Sequence, residues 1–253
     1  MAARDLIIGG LHAARMAFER AGGDVLELWL RRDHEGEGPR ELEAQARALG
    51  VSVQRVDLPT LNRLYGDDHH QGVVLRRRPP PTVDLKTVLA RAAAAGHAAL
   101  LLVLDNVQDP RNFGACLRAA DGAGVDAVIF TRDRAAGISS VVAKTASGAL
   151  DSVPLVAVAN LASALRLLAE AGVWTLGAAH DGAIPIYQAD LTLPSALVLG
   201  NEGEGLRRLT RERCDQLVTI PMHGQVSSLN VATAAAVCLF EARRQRAAKG
   251  VDG

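Results

Sequence analysis

The sequence predicts an α/β protein with a small N-terminal domain and a larger C-terminal domain built on a parallel sheet. Three observations support this prediction. Segments with helical spacing of apolar residues alternate with short apolar segments along most of the 253 residues. The run Pro79–Pro81 interrupts this alternation, because consecutive prolines continue neither a helix nor a central strand. Finally, 49% of the residues are apolar, which is enough for a sizeable core.

The region before the prolines is predicted to be a compact α/β sandwich. Apolar residues recur at helical spacing or alternate at strand spacing in five segments. The expected helices are 11–21 and 40–49, and the expected strands are 25–30, 51–56 and 72–75. Because helices and strands alternate, we expect a mixed or parallel sheet.

The prolines mark a boundary between domains. Together with the preceding Arg76–Arg78 they predict a stiff, extended linker. The three arginines allow two interpretations, a solvated linker or a set of phosphate contacts. We therefore divide the chain into a first domain at 1–76, a linker with one helix at 77–97, and a second domain at 98–253.

The region after the prolines alternates more strongly. About six strands are expected, at 100–104, 126–131, 153–158, 173–178, 196–199 and 217–220. Helices are expected at 112–123, 161–171 and 229–246. The first of these strands is apolar throughout, which is typical of a parallel strand buried on both faces. Ligands of such sheets bind at the carboxyl ends of the strands, so we expect the chemistry in the loops that follow them.

Composition and charge restrict the possible functions. The formal net charge is zero, which argues against coating nucleic acid through bulk electrostatics but allows a local basic groove. The first residues lack the long apolar stretch of a secretory signal, and no segment has the length of a membrane span. We expect a soluble cytoplasmic protein without a membrane partner.

Neither a disulfide nor a metal site is expected. Cys116, Cys214 and Cys238 lie far apart, form no CxxC pair and are interpreted as reduced core thiols. The stretch Asp67–His70 contains carboxylates and imidazoles, but adjacent side chains point in different directions and no second pair supports them. We predict no metal.

The first loop whose side chains could take part in catalysis or binding follows strand 100–104 and leads into a helix. Asn112 is interpreted either as the helix N-cap or as a site residue. Arg118, on the same helix, is either a solvated or ion-paired arginine or a functional cation.

The second loop, Gly200–Leu206, contains three glycines, which permit close approach of the backbone to a ligand. Glu202 and Glu204 would repel a pyrophosphate, so a cationic ligand or a hydroxyl donor suits the loop better. An ordinary tight turn is the alternative interpretation.

The third loop, 221–231, precedes a long Ala-rich helix. Ser227 or Ser228 could be its N-cap. Asn230 is less easily explained as a cap, which favours a functional role for that side chain.

Together the three loops resemble the SpoU (TrmH-type) RNA ribose methyltransferases of the SPOUT superfamily. The first motif is present as Asn112 through Arg118, the second as Leu197–Leu206 and the third as Ile220–Val231. The stretch His70–Val74 resembles the end of the family's substrate-binding domain, which is similar to ribosomal protein L30e. The resemblance covers almost the whole chain.

This resemblance implies a SPOUT-type parallel sheet with a deep trefoil knot, an L30e-like N-terminal domain and a homodimer with active sites at the interface. It also implies that S-adenosylmethionine is the cofactor, bound in a bent shape. The residues expected around the cofactor are Gly200, Asn201, Gly205, Ile220 and Leu229.

The resemblance further implies a catalytic group. The expected residues are Arg118, Asn112, Glu202, Ser228 and Asn230. Arg118 would either act as general base, aided by a substrate phosphate, or remain charged and stabilise the developing alkoxide. The second role avoids deprotonating a guanidinium, whose pKa exceeds about 12.

Two further stretches resemble one group within this family, which acts on a particular RNA. Glu204–Glu212 and Cys238–Ala242 are similar to bacterial enzymes that methylate a guanosine of the 23S rRNA in the peptidyl-transferase P loop. The implied partner is 23S rRNA or a large-subunit assembly intermediate. Two alternatives remain open, a tRNA 2′-O-methyltransferase and a non-catalytic rRNA-binding assembly factor. A dehydrogenase is disfavoured because the dinucleotide fingerprint is missing.

Overall fold

A computed structural model of the chain describes residues 5–133, 135–201 and 203–250. These residues form two compact units. The small unit contains the described residues up to Pro80 together with Ile138–Ser152, and the large unit contains the remainder. A segment from the second half of the sequence therefore belongs to the small unit. The division into 1–76, 77–97 and 98–253 stays a prediction.

The small unit is built on a four-stranded sheet of order β1-β4-β2-β3. Its strands are β1 (Leu6–Gly9), β2 (Val25–Arg31), β3 (Ser52–Val56) and β4 (Val73–Arg77). Strand β4 is antiparallel to β1 and β2, whereas β2 and β3 are parallel, which confirms the expected mixed sheet. Strand β1 was not predicted from the sequence.

Five helices belong to this unit. They are α1 (Leu11–Ala21), α2 (Glu37–Ala48), α3 (Leu58–Tyr65), α6 (Ser140–Ala146) and α7 (Ala149–Ser152). The first two match the expected helices, and α3 is an addition. Helices α6 and α7 come from the distant segment 138–152.

The distant segment is bonded to the sheet edge and to the loop before β4. The Ile7 N–H of edge strand β1 donates to Ser140 Oγ at 2.8 Å. The Lys144 ammonium lies 2.9 Å from an Asp67 carboxylate oxygen and 4.9 Å from the centre of the Tyr65 ring. Helix α6 thus satisfies a backbone donor that an edge strand would otherwise leave to solvent.

The arginines before the prolines are not a uniform solvated run. Arg77 is completely buried and its guanidinium lies 2.5 Å from the carboxylate of Asp151, on α7. Arg76 pairs with Asp5 and Glu27. The idea that Arg77 contacts phosphate is therefore wrong, because its side chain is enclosed by the small unit.

We expect Asp151→Ala to lower the free energy of unfolding by about 3–5 kcal/mol, because it leaves the buried Arg77 charge without its partner. The double variant Arg77→Met/Asp151→Leu should recover a large part of this loss, since it removes both charges. Urea unfolding followed by circular dichroism measures both. Glu170→Ala is the control, because its exposed pair with Arg166 should contribute less than about 1 kcal/mol. Equal losses in Asp151→Ala and the control would contradict this account.

The large unit contains a seven-stranded sheet of order β7-β6-β5-β10-β8-β11-β9. Its strands are β5 (Leu100–Asp105), β6 (Ala127–Thr131), β7 (Leu155–Val158), β8 (Trp174–Ala178), β9 (Ile184–Pro185), β10 (Ser195–Gly200) and β11 (Gln216–Thr219). All neighbouring strands are parallel, as predicted. The two-residue strand β9 was not among the six strands expected from the sequence. Strands β5 and β10 are buried along almost their whole length, because helices cover both faces.

Five helices belong to the large unit. They are α4 (Leu85–Ala95), α5 (Pro110–Gly122), α8 (Leu161–Glu170), α9 (Arg208–Arg211) and α10 (Val231–Lys249). No described helix has both the length and the apolar character needed to cross a bilayer.

Helix α5 begins at Pro110, two residues before Asn112. Its N-cap is Asp109, whose carboxylate accepts from the N–H groups of Arg111 at 2.6 Å and of Asn112 at 3.1 Å. Pro110 occupies the first helical position, where its missing N–H is harmless. The interpretation of Asn112 as the cap of this helix is therefore wrong.

Helix α10 begins later than expected. Its N-cap is Asn230, whose Oδ1 accepts from the Ala232 N–H at 2.9 Å. The expectation of a cap at Ser227 or Ser228 is therefore wrong, because both serines precede the helix by more than one residue. The interpretation that Asn230 is not a cap is wrong as well, because its side chain caps the helix.

Helices α5 and α10 lie side by side and run in the same direction. At their N-terminal ends, Asn230 Nδ2 donates to Asn112 Oδ1 at 3.0 Å. At their C-terminal ends, the Arg243 guanidinium donates to the carbonyls of Ala123 and Gly124. This arrangement places both helix N-termini at the carboxyl edge of the sheet.

The far end of α10 is fixed by Arg246, which is 1% exposed. Its guanidinium donates to the carbonyls of Ala98, Ala99, Leu191 and Leu193. These carbonyls precede β5 and β10, so the arginine ties α10 to the amino edge of the two central strands.

Candidate functional site

A cavity of about 490 Å³ lies at the carboxyl ends of β8, β10 and β11. Three loops form its walls: 178–180, 199–206 and 219–229. The five residues expected at the cofactor all line it: Gly200, Asn201, Gly205, Ile220 and Leu229. Pockets of about 300–1,000 Å³ commonly hold small ligands, so the cavity can accommodate a nucleoside derivative.

The wall formed by 200–205 depends on missing side chains. A Cβ on Gly200 would lie 2.0 Å from the carbonyl carbon and oxygen of Gly205, which itself has a φ of +66°. The Asn201 Oδ1 accepts from the N–H groups of Gly203 at 3.1 Å and Glu204 at 2.7 Å. The Asn201 side chain therefore shapes the loop, and the loop presents backbone to the cavity.

Asp105 fixes the end of this loop and was not singled out in the sequence. It is fully buried at the carboxyl end of β5. Its carboxylate accepts from Arg207 Nε at 2.5 Å and from the Arg207 N–H at 2.9 Å. The ion pair joins the central strand to the residue that follows the glycine loop, so it stabilises the cavity wall.

Arg211 is a second residue that the sequence interpretation missed. Its side chain lines the cavity, and its two terminal nitrogens lie 2.8 and 2.6 Å from the carboxylate oxygens of Asp181. The guanidinium lowers the pKa of Asp181 from its ordinary value, and the carboxylate raises that of Arg211. Both groups therefore remain charged at neutral pH.

The expected catalytic residues fall into two groups. Ser228 lines the cavity, and Asn230, bonded to Asn112, stands between the lining residues Leu229 and Val231. This brings the first and third motifs together, although 118 residues separate the two asparagines.

Of the two remaining expected catalytic residues, Arg118 and Glu202, the structure describes Arg118 alone. Arg118 is exposed on α5, does not line the cavity and forms no hydrogen bond or ion pair with the described residues. Glu202 lies outside the described residues.

The cysteines are free, and two of the three are buried, in agreement with the expected core thiols. Burial raises the pKa of Cys214 and Cys238 to about 12. Neither thiol is therefore a nucleophile at neutral pH, since the thiolate is the reactive form.

The stretch Asp67–His70 divides into an exposed and a buried part. Ligand atoms of Asp67, Asp68 and His69 lie within 4.8 Å of one another on the surface. Asp67 already accepts from Lys144 and from the His69 N–H. The stretch is thus engaged in contacts within the small unit.

His70 is buried and holds the turn before β4. Its Nδ1 accepts from the Gly72 N–H at 3.0 Å, and its Nε2 lies 2.8 Å from Asn62 Oδ1. A neutral ring with its proton on Nε2 satisfies both contacts. Burial accordingly lowers the pKa of His70 from its ordinary value of 6.5.

This lowered pKa predicts a pH-dependent stability, because the unfolded chain takes up the proton more readily than the folded chain. The contribution of neutral His70 is complete above pH 6.5 and is lost as the pH falls from there towards the lower pKa of the folded state. Urea unfolding between about pH 8 and pH 5 should show this loss in wild type and in the exposed control His69→Gln, but not in His70→Gln. Parallel pH curves for all three proteins would disprove it.

Comparison with known proteins covers both units. The sequence model of the SpoU rRNA Methylase family matches residues 99–240. The model named RNA 2′-O ribose methyltransferase substrate binding matches residues 7–83.

Curated relatives match over nearly their whole length. The chain is 45% identical to the 23S rRNA (guanosine-2′-O-)-methyltransferase RlmB of Shewanella oneidensis over 243 residues, which is 95% of this chain and 97% of that protein. It is 44% identical to the protein of the same name from Xanthomonas campestris over 239 residues, 94% of this chain and 96% of the relative.

Solved structures of methyltransferases resemble this chain over almost its whole length. The SpoU methyltransferase AviRb from Streptomyces viridochromogenes, in complex with the cofactor AdoMet, matches with a TM-score of 0.82 and 28% identity over 96% of this chain and 91% of that chain. The AdoMet-bound rRNA methyltransferase from Sinorhizobium meliloti matches with a TM-score of 0.80 and 25% identity over 95% of this chain and 87% of that chain. The family model, the 45% identical relative and the solved structures agree with the glycine loop and the paired asparagines. The chain therefore belongs to the SpoU rRNA methylase family.

Proposed function

We propose that this chain transfers the methyl group of S-adenosylmethionine to the ribose 2′-hydroxyl of a guanosine in the peptidyl-transferase P loop of 23S rRNA. The observation that carries the proposal is the 45% identity to a guanosine-specific 23S rRNA methyltransferase across 95% of the chain, which includes both units. We propose that the substrate is rRNA or a large-subunit assembly intermediate and that the reaction takes place in the cytoplasm.

The cavity fits the cofactor. Gly200 allows the backbone to approach a ligand where a side chain would collide with Gly205. Leu199, Ile220 and Leu229 supply apolar walls suited to a purine. We propose that Gly200, Asn201, Gly205, Ile220 and Leu229 hold the adenosine, mainly through backbone groups.

The chemistry requires an aligned 2′-hydroxyl and a place for its proton. When bound, S-adenosylmethionine supplies a methyl group activated by a sulfonium, so the chain itself needs no metal. We propose that Asn112, Ser228, Asn230 and Glu202 orient the ribose and the catalytic arginine. Alignment of this kind can supply up to about 7–11 kcal/mol of the barrier reduction.

We propose that Arg118 remains charged and stabilises the developing alkoxide. Its guanidinium is exposed on α5 and has no carboxylate partner among the described residues. A guanidinium has a pKa above about 12, so donation to an anion is favoured over removal of a proton. The role as general base remains the alternative, and it would require a substrate phosphate to accept the proton in turn.

We propose a homodimer in which a second copy completes the site. Its support is that Arg118 does not line the cavity of its own chain, whereas the neighbouring helix α10 exposes the large apolar Phe240. Mixing inactive Arg118→Ala and Gly200→Ala proteins should restore activity if each site takes groups from two chains. Sedimentation of a monomer, or mixtures without activity, would contradict this arrangement.

We also propose that the stretch from β10 to α10 forms the trefoil knot that the family resemblance implies. Its support is the strand order, in which β10 lies between the earlier strands β5 and β8.

The experiment that tests the function measures transfer of labelled methyl from S-adenosylmethionine to unmodified 23S rRNA, to a large-subunit assembly intermediate and to bulk tRNA. We expect label in the first or second substrate, at the ribose of one guanosine. The phosphodiester bond that follows this ribose should become resistant to alkaline cleavage. Label in tRNA alone would establish the tRNA methyltransferase alternative. Cofactor binding without transfer to any of the three would favour the non-catalytic assembly factor.

A further inference from the structure

The cavity carries charges that an adenosine does not need. Glu204 and Arg211 line it, together with His180. Among the lining residues that the structure describes, Arg211 is the one lysine or arginine. A neutral purine and ribose offer such a cation no ionic partner, so its presence points to another part of the ligand.

Arg211 is held in place before any ligand arrives. Its two terminal nitrogens each donate to Asp181, in the loop after β8. A guanidinium has five N–H donors, and the contacts with described residues use two of them, so the group can also donate to a ligand. Only 35% of the side chain is exposed, and Asp181 restricts its orientation. A fixed, forked donor of this kind is suited to a carboxylate.

The charges of S-adenosylmethionine decide where Arg211 can act. The sulfonium and the α-ammonium are cationic and would be repelled by a guanidinium. The α-carboxylate is the one anionic group of the molecule. A cation in this cavity is therefore compatible with the ligand if it faces the amino-acid end, where Glu204 can in turn attract the ammonium.

We propose that Arg211 binds the α-carboxylate of S-adenosylmethionine and that Asp181 positions its guanidinium for this contact. Arg211 thereby makes the cavity selective for ligands with an intact amino-acid end. The inference rests on the proposed function, since it takes this cavity to be the cofactor site.

The test is calorimetric binding of three ligands: S-adenosylmethionine, decarboxylated S-adenosylmethionine and 5′-methylthioadenosine. The second keeps the sulfonium and the amine but lacks the carboxylate, and the third lacks the whole amino-acid end. The variants are Arg211→Gln and the matched control Arg208→Gln. Arg208 lies on the same short helix, pairs with Glu212 at 2.8 Å and does not line the cavity.

We expect Arg211→Gln to weaken S-adenosylmethionine binding about tenfold or more, which is the usual loss for a hydrogen bond between charged groups. Binding of the decarboxylated ligand and of 5′-methylthioadenosine should stay within about twofold of wild type. Arg208→Gln should leave all three affinities unchanged.

Two results would overturn the proposal. Equal weakening of all three ligands would show that Arg211 contacts the adenosine or only supports the loop. Unchanged binding of S-adenosylmethionine would show that Arg211 does not contact the ligand. If wild type binds none of the three, the cofactor assignment fails as well, so the two failures are distinguishable.

Discussion

Replacing Arg118 by alanine should reduce methyl transfer to 23S rRNA about 100- to 1,000-fold, the usual loss when one donor to a developing anion is removed. The affinity for S-adenosylmethionine should be unchanged, because Arg118 does not line the cavity. Single-turnover transfer at saturating RNA, beside calorimetric cofactor binding, separates the two effects. The fold should be unaffected, since the side chain is exposed on α5.

Two further variants sharpen this test. Arg118→Lys keeps the charge but loses the forked geometry, so it should recover only part of the activity. Arg166→Ala removes another exposed arginine, on α8, and it should behave as wild type. If saturating RNA restores full activity to Arg118→Ala, the arginine binds RNA and does not stabilise the transition state.

Replacing Gly200 by alanine should weaken S-adenosylmethionine binding by about tenfold to a hundredfold and abolish transfer at low cofactor concentration. The added Cβ would lie 2.0 Å from the backbone of Gly205 and 2.3 Å from the Leu206 nitrogen. Backbone atoms cannot rotate away as a flexible side chain can, so the loop must move out of its position. Calorimetry measures the affinity.

The same loop contains its own control. Among the described residues, a Cβ on Gly203 would meet nothing closer than Asn201 Oδ1 at 4.0 Å. Gly203→Ala should therefore bind the cofactor nearly as wild type does. Equal losses in both alanine variants would mean that the loop as a whole, and not the contact between Gly200 and Gly205, determines cofactor affinity.

The parallel sheet and its functional edge were predictable because burial on both faces leaves a simple pattern. Strands β5 and β10 are continuous apolar runs, and each is followed at once by polar and glycine residues. In a parallel sheet such loops lie at one edge. The residues expected around the cofactor line one cavity at this edge, and their binding of the cofactor stays a prediction.

The helix starts were predicted less well, although local signals were present. Asp109 followed by Pro110 is a strong start signal, but Asn112, two residues later, is also a residue type that caps helices. Asp57 caps α3, again with a proline in the first turn, but that helix was not predicted. Strand β1 has only four residues, too few to show an alternation.

Contacts over long sequence distances could not be predicted from this single sequence. Asp105 and Arg207 are 102 residues apart, and the residues flanking each of them in the sequence give no sign of the ion pair. Arg77 belongs to an arginine run typical of a solvated linker, yet Asp151 draws it into the core of the small unit. Charge pairing depends on which strands and helices meet, which the local pattern does not contain.

The contribution of segment 138–152 to the small unit limits how freely the substrate-recognition module can be exchanged. A chimaera made by one cut at Pro79–Pro81 would bring a foreign β1 and a foreign Arg77 against the resident Ser140 and Asp151. A graft that respects the fold must carry two pieces of sequence, the N-terminal stretch and helices α6 and α7. Exchange of the whole small unit therefore requires coordinated change at two separated places in the gene.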